Sequence, residues 1–109
     1  MDIDRELLKG SISLLLLNLL TRSEMYGYEI LQQAARRSKE AFEFKEGTLY
    51  PALHQLEKKG LIAGEWRTGA TGRERKYYSL TAKGKKAAQE YEKQWQHLTT
   101  TVRAVLESQ

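Results

Sequence analysis

The sequence predicts a mainly α fold with one small β-hairpin, an α+β arrangement, and three observations predict it. Leucines recur at helical spacing through Lys45–Gly60. Two short runs carrying Ile62 and Trp66, then Tyr77 and Tyr78, flank the turn residues Gly69-Ala70-Thr71-Gly72. Apolar residues then alternate at spacings of three and four from Ala88 to Val105.

From Asp4 to about Thr21 the pattern predicts a helix, with Asp2 or Asp4 as its cap. Leucines and Ile12 cover most of its circumference, so it is buried on more than one side. Two covers fit the second face: another subunit, or the C-terminal helix of the same chain. Arg22–Met25 reads as a connection, and Tyr26 to about Ser38 as a second helix with Tyr26, Ile30, Leu31 and Ala34 inside. Gly27 costs that helix on the order of 1 kcal/mol relative to alanine and permits close packing at its start. Arg36, Arg37 and Lys39 complement the negative end of its dipole. Ala41–Lys45, with Phe42 and Phe44 around Glu43, reads as a short extended piece.

The helix between Lys45 and Gly60 is the centre of the chain. Leu49, Ala52, Leu53 and Leu56 form its buried face, while Tyr50, His54, Gln55 and Lys58 form the other. Pro51 lacks an N–H and belongs in a first turn, which places the start near Gly47 or Thr48 with Thr48 as cap. Gly60 closes the helix in a left-handed conformation. A helix start with free N–H groups, a hydroxyl and a phenol suits a phosphate backbone or base edges. An amphipathic helix with a merely solvated polar face has the same pattern.

Leu61–Thr68 and Glu74–Leu80 are the two strands of the hairpin. Arg67, Arg73, Arg75 and Lys76 lie beside its turn, against Glu65 and Glu74. A basic hairpin beside a helix with a polar outer face is the geometry of a winged helix-turn-helix, with the helix in the major groove and the wing on the flanking backbone. Lys45, Thr48, Tyr50 and His54 are the expected contacts of the helix, and Arg73, Arg75 and Lys76 those of the wing.

Thr81 caps a last helix running to about Leu106, roughly 37 Å long. Its seam of Ala88, Tyr91, Trp95, Leu98, Val102 and Val105 is too long to be buried on so small a body. The expectation is a winged-helix unit over residues 1–80 and a dimerisation helix over 81–109. Leu8, Ile12, Leu15, Tyr91, Trp95, Leu98, Val102 and Val105 are its candidate dimer contacts. Trp95, large and flat at mid-seam, is either interface core or the wall of a ligand pocket.

Composition bounds the remaining classes. The chain has 109 residues, 40% of them hydrophobic, enough for one small core, and a formal net charge of +4 that is compatible with a polyanion. It has no cysteine, which excludes disulfides and thiolate metal sites. The apolar run Leu14–Leu20 is far short of the roughly 20 residues of a membrane span, and no basic leader with a cleavage site is seen; a cytoplasmic location fits. His54 and His97 stand on different helices, Glu40 and Glu43 read as solvated, and no glycine-rich phosphate loop opens a helix. No catalytic residue, metal site or cofactor is expected.

The runs Tyr26-Gly27-Tyr28-Glu29-Ile30, Gly47-Thr48-Leu49-Tyr50-Pro51-Ala52-Leu53, Leu56–Ile62, Trp66 and Gly72–Gly84 together closely resemble the PadR family of bacterial transcriptional regulators, in order and spacing, over about residues 5 to 84. The single C-terminal helix is similar to the short subfamily. The resemblance implies a homodimer, usually a repressor, on a palindromic double-stranded operator. It implies a recognition helix at Thr48–Lys59, a wing tip at Gly69–Arg73, and a dimer interface built from the first and last helices. Some short-subfamily members bind flat aromatic or cationic compounds at that interface, which draws attention to Trp95. A competing reading is a winged-helix module that binds protein and not DNA, favoured by Glu40, Glu43, Glu46 and Glu57 beside the central helix.

Overall fold

The computed structural model describes residues 3–42 and 45–108. In order they form α1 (Arg5–Lys9), α2 (Ile12–Arg22), β1 (Met25–Tyr26), α3 (Gly27–Arg37), α4 (Glu46–Lys58), β2 (Ile62–Thr68), β3 (Glu74–Leu80) and α5 (Ala82–Glu107). The strands make one antiparallel sheet in the order β1-β3-β2.

Helix α2 is the centre of the core. Leu16 and Leu17 are fully buried, Leu19 and Leu20 nearly so, and α3, α4, α5 and β3 all pack against it. The second face of α2 is therefore covered largely from within the chain, because α5 folds back along it. Ile12, expected at a subunit interface, lies in this core at 9% exposure; Leu8 and Leu15 are half-buried beside it.

The predicted single helix Asp4–Thr21 is two. It breaks at Gly10 and Ser11, where the buried Ser11 donates its hydroxyl and its N–H to the Leu8 carbonyl, at 2.8 and 3.0 Å. Asp4 caps α1 by accepting the Glu6 N–H at 2.8 Å; the alternative cap, Asp2, falls outside the described residues. So do Glu43 and Phe44 of the expected extended piece, whose half-buried Phe42 packs on the core. β1, two residues long, was expected as part of a connection and a helix start. The turn from α3 to α4 carries Lys39 and Glu40 in the left-handed region, at φ 53° and 68°.

Helix α4 ends as expected and begins differently. Gly60, at φ 75°, donates to the Glu57 carbonyl, and Leu61 donates to the Leu56 carbonyl, the paired bonds of a left-handed helix stop. At the other end Lys45 is the cap, and its carbonyl accepts from Thr48 and Leu49. Thr48 is thus inside the helix and does not cap it. Pro51 sits in the second turn, where it denies a donor to the carbonyl of Gly47; Gly47 is exposed, so water can take that place.

Thr81 caps α5 as expected, accepting the Gly84 N–H at 3.0 Å. The first turn of α5 meets the end of α4 in a tight joint. The Thr81 N–H donates to the Leu61 carbonyl, the Thr81 hydroxyl to the Gly60 carbonyl, and the Lys83 ammonium to the Lys59 carbonyl. Gly84 lies directly on Leu61: a Cβ there would collide with the Leu61 carbonyl oxygen. Beyond Thr99 every described residue of the helix is exposed, and the molecule measures 61 × 32 × 21 Å.

Candidate nucleic-acid interface

Burial of Leu49, Leu53 and Leu56 fixes the roll of α4 and turns Lys45, Tyr50, His54, Gln55 and Lys58 outward. Thr48 is half-buried. Tyr50 remains 45% exposed although its ring rests on the start of α3. A Cβ on Gly27 would strike the Tyr50 hydroxyl and lie 2.9 Å from Cζ. Gly27 is therefore what lets α3 and α4 meet through this phenol. The sequence suggested a close approach at Gly27 without naming the partner.

The strand register sorts the hairpin into two faces. Glu65, Arg67, Tyr77 and Arg75 share the face that also carries Tyr26 of β1. There Arg67 stands over the Tyr77 ring at 4.8 Å, Arg75 over the Tyr26 ring at 4.5 Å, and the two rings meet edge to face at 5.4 Å. Arg67 donates two bonds to the Glu24 carboxylate and one, at 3.2 Å, to Glu65. The bonds from Arg67 to Glu24 hold the Glu24 carboxyl below its ordinary value. Arg67 and Arg75 are register partners, and the flanking carboxylates and rings offset their repulsion. Glu24, read from sequence as a connection residue, thus ties the hairpin to the body.

On the opposite face Lys76 donates to Glu57 of α4 at 3.0 Å, with its ammonium 5.4 Å from the Tyr78 ring centre. This bond raises the Lys76 ammonium above its ordinary value, and burial raises the Tyr78 phenol. The expected wing cations therefore differ in what they have free. Lys76 is paired, Arg75 is stacked and half-exposed, and Arg73 is exposed at the tip. The tip is closed by the Gly69 N–H on the Arg73 carbonyl and by Gly72 at φ 79°.

A second surface lies along α2 and α5. Tyr91, Gln94, Trp95 and Leu98 face Gly10, Ser13 and Leu14 across an open groove of about 470 Å³. Tyr91 and Trp95 are half-buried, while Leu98, Val102 and Val105 are 50%, 45% and 70% exposed. Among the described residues no cluster of His, Cys, Asp and Glu could hold a metal ion, and no helix is long and apolar enough to cross a membrane.

The sequence model of the transcriptional regulator PadR-like family matches residues 16–90. A transcriptional regulator of Mycobacterium tuberculosis is 34% identical over 86 residues, 79% of this chain and 77% of that protein. Among solved structures, a PadR family transcriptional regulator from Eggerthella lenta is 36% identical with a TM-score of 0.84, covering 95% of this chain and 88% of that one. A transcriptional regulator from Clostridium thermocellum is 30% identical with the same TM-score, covering 93% and 95%. Sequence and winged-helix architecture agree across most of the chain, which belongs to the PadR-like family: regulators of transcription with a DNA-binding winged helix, not enzymes.

Proposed function

We propose that this protein is a homodimeric, cytoplasmic repressor that binds a palindromic operator and is released by a small aromatic or cationic molecule at the dimer seam. Residues 1–80 are the DNA-binding unit and 81–109 the dimerisation helix. The observation that carries the reading is Tyr50, a large side chain held on Gly27 yet kept exposed near the start of a helix whose outer face also carries His54, Gln55 and Lys58. Lys45, Thr48, Tyr50 and His54 contact the major groove, and Arg73 and Arg75 the flanking phosphates. Lys76 joins them only to the extent that phosphate competes with Glu57. The groove at Trp95 is the effector site, open in one subunit and closed over by the second.

The test is a titration against DNA from the protein's own upstream region at two salt concentrations. Binding is expected to weaken steeply with salt as counterions are released. Tyr50→Ala is expected to weaken it roughly 10- to 100-fold with the fold intact. Equal binding by the parent and Tyr50→Ala would remove α4 from the interface.

Gly27→Ala makes a subtler version of the same test. The new methyl displaces a movable ring and not backbone, so the melting temperature should hardly change. DNA affinity should fall as it does for Tyr50→Ala, and unchanged affinity would mean that the seating of Tyr50 does not matter. Glu57→Gln should act in the other direction. It frees Lys76, so binding should tighten and the salt dependence should steepen by about one counterion; an unchanged slope would keep Lys76 off the phosphates.

A further inference from the structure

Trp66 is 65% exposed, more than Tyr28 or Tyr50. Its side is set by register. Ile62, Gly64, Trp66 and Thr68 of β2 share a face with Leu80, Tyr78, Lys76 and Glu74 of β3. That face sends Ile62 and Tyr78 into the core and meets α4 through Lys76 and Glu57. Trp66 thus stands on the α4 side of the wing, one strand step past the last position that α4 covers.

The neighbour that would ordinarily shield it leans away. Lys76 is the direct cross-strand partner of Trp66, and a long aliphatic stem there can lie along an indole. Instead the stem runs across Gly64, where a Cβ would strike Lys76 Cε, and its ammonium goes to Glu57. The absence of a side chain at Gly64 makes this path possible. The result is a large apolar ring left in water on the surface that flanks the outward face of α4.

The charges around Trp66 say what kind of contact it makes. Lys76 and Glu57 neutralise each other, Glu74 is an exposed anion on the same face, and Arg73 is the exposed cation of the tip. Phosphate is not favoured directly over the ring. The apolar wall of a backbone sugar, beside a phosphate held by Arg73, fits both the ring and its surroundings. Resting on the DNA-binding reading above, we propose that Trp66 is a non-ionic contact of the wing, packing its indole against the deoxyribose wall of the duplex next to the recognition helix.

The experiment uses the full chain and a duplex enriched by the parent protein from a random-sequence pool, titrated over a range of salt. Trp66→Ala is expected to bind about tenfold more weakly at every salt concentration, with the slope of log K against log salt unchanged. Trp66→Phe is expected to recover part of the loss. Arg73→Ala is expected to reduce the slope by about one, as loss of a phosphate contact does. Melting of Trp66→Ala should match the parent, because the ring is not part of the core. The proposal is overturned if Trp66→Ala binds as the parent does while Tyr50→Ala fails, which would leave the ring without a part in DNA binding. It is also overturned if the loss follows a fall in melting temperature or a change in slope. If the parent enriches no duplex at all, the DNA-binding reading and this contact fall together, an outcome separate from the other two.

Discussion

Gly84→Ala is expected to destabilise the protein by about 3 kcal/mol, with a fall in melting temperature of roughly 10–20 °C. Most glycine-to-alanine changes inside helices stabilise, since alanine has the better helix propensity by about 1 kcal/mol. Here the added methyl would overlap the Leu61 carbonyl oxygen and lie 2.9 Å from its carbon. That carbonyl belongs to backbone pinned on both sides. Leu61 donates to Leu56 at the end of α4, and its oxygen accepts from Thr81 at the start of α5. No side chain can swing aside, so α5 must back away and lose the packing of Ala88 in the core. Gly47→Ala is the matching control. It is also helical, but nothing lies within 4 Å of the methyl it would carry, and stability should hold or rise slightly. Thermal melts of the two variants check the pair. A Gly84→Ala protein that melts within two degrees of the parent would mean that the joint yields.

Replacing Leu98 and Val102 together by aspartate is expected to convert the proposed dimer to a monomer of 12.6 kDa and to lower operator affinity about 10²- to 10⁴-fold. Neither side chain contributes to the core of a single chain, so the fold should survive. In a dimer each such side chain would add roughly 1.5–3 kcal/mol of burial. A carboxylate in its place would be desolvated without a partner. The affinity loss follows because two half-sites gripped by one dimer act as a bivalent ligand, and a monomer has only one grip. Light scattering on the eluting protein and a DNA titration check both halves. A double variant that still runs as a dimer would take the interface off the α5 seam.

The parts of the fold legible in the sequence are those that local chemistry determines. Leu49, Leu53 and Leu56 define one helical stripe, Gly60 supplies the left-handed stop, and Gly69 and Gly72 close the hairpin. Thr81 caps its helix with its own hydroxyl. The parts that were not legible depend on partners distant in the chain. A strand of two residues, Met25 and Tyr26, exists only because β3 lies beside it. The apolar spacing carries on from Leu8 to Ile12, so periodicity hides the break, although Gly10 and Ser11 are the stop and start residue types that end α1 and open α2. A proline, lacking an N–H, is expected in a first turn; Pro51 stands one turn further in because the exposed Gly47 leaves the carbonyl that loses its donor open to water.

The candidate interface divides in the same way. Outward placement of Tyr50 and His54 follows from the stripe opposite them. What each cation does with its charge does not follow from spacing. Lys76 finds Glu57 across 19 positions and Arg67 finds Glu24 across 43. The seat of Tyr50 on Gly27 likewise joins two helices that sequence periodicity treats one at a time.

The joint at Gly60, Leu61, Thr81 and Gly84 has a mechanical meaning. It is a fulcrum: the end of α4, the proposed recognition helix, and the root of the longest helix are fastened at one point by hydrogen bonds from Thr81 to the Leu61 and Gly60 carbonyls and by the close approach of Gly84 to the Leu61 backbone. α5 has 26 residues, about 39 Å of stiff rod. Each degree of rotation at the fulcrum sweeps its free end by roughly 0.7 Å. In the proposed dimer, displacements of a few ångströms far along α5 are therefore geared down to turns of a few degrees at the foot of α4, and it is by such turns that the two proposed recognition helices would come into or out of step with successive turns of a duplex.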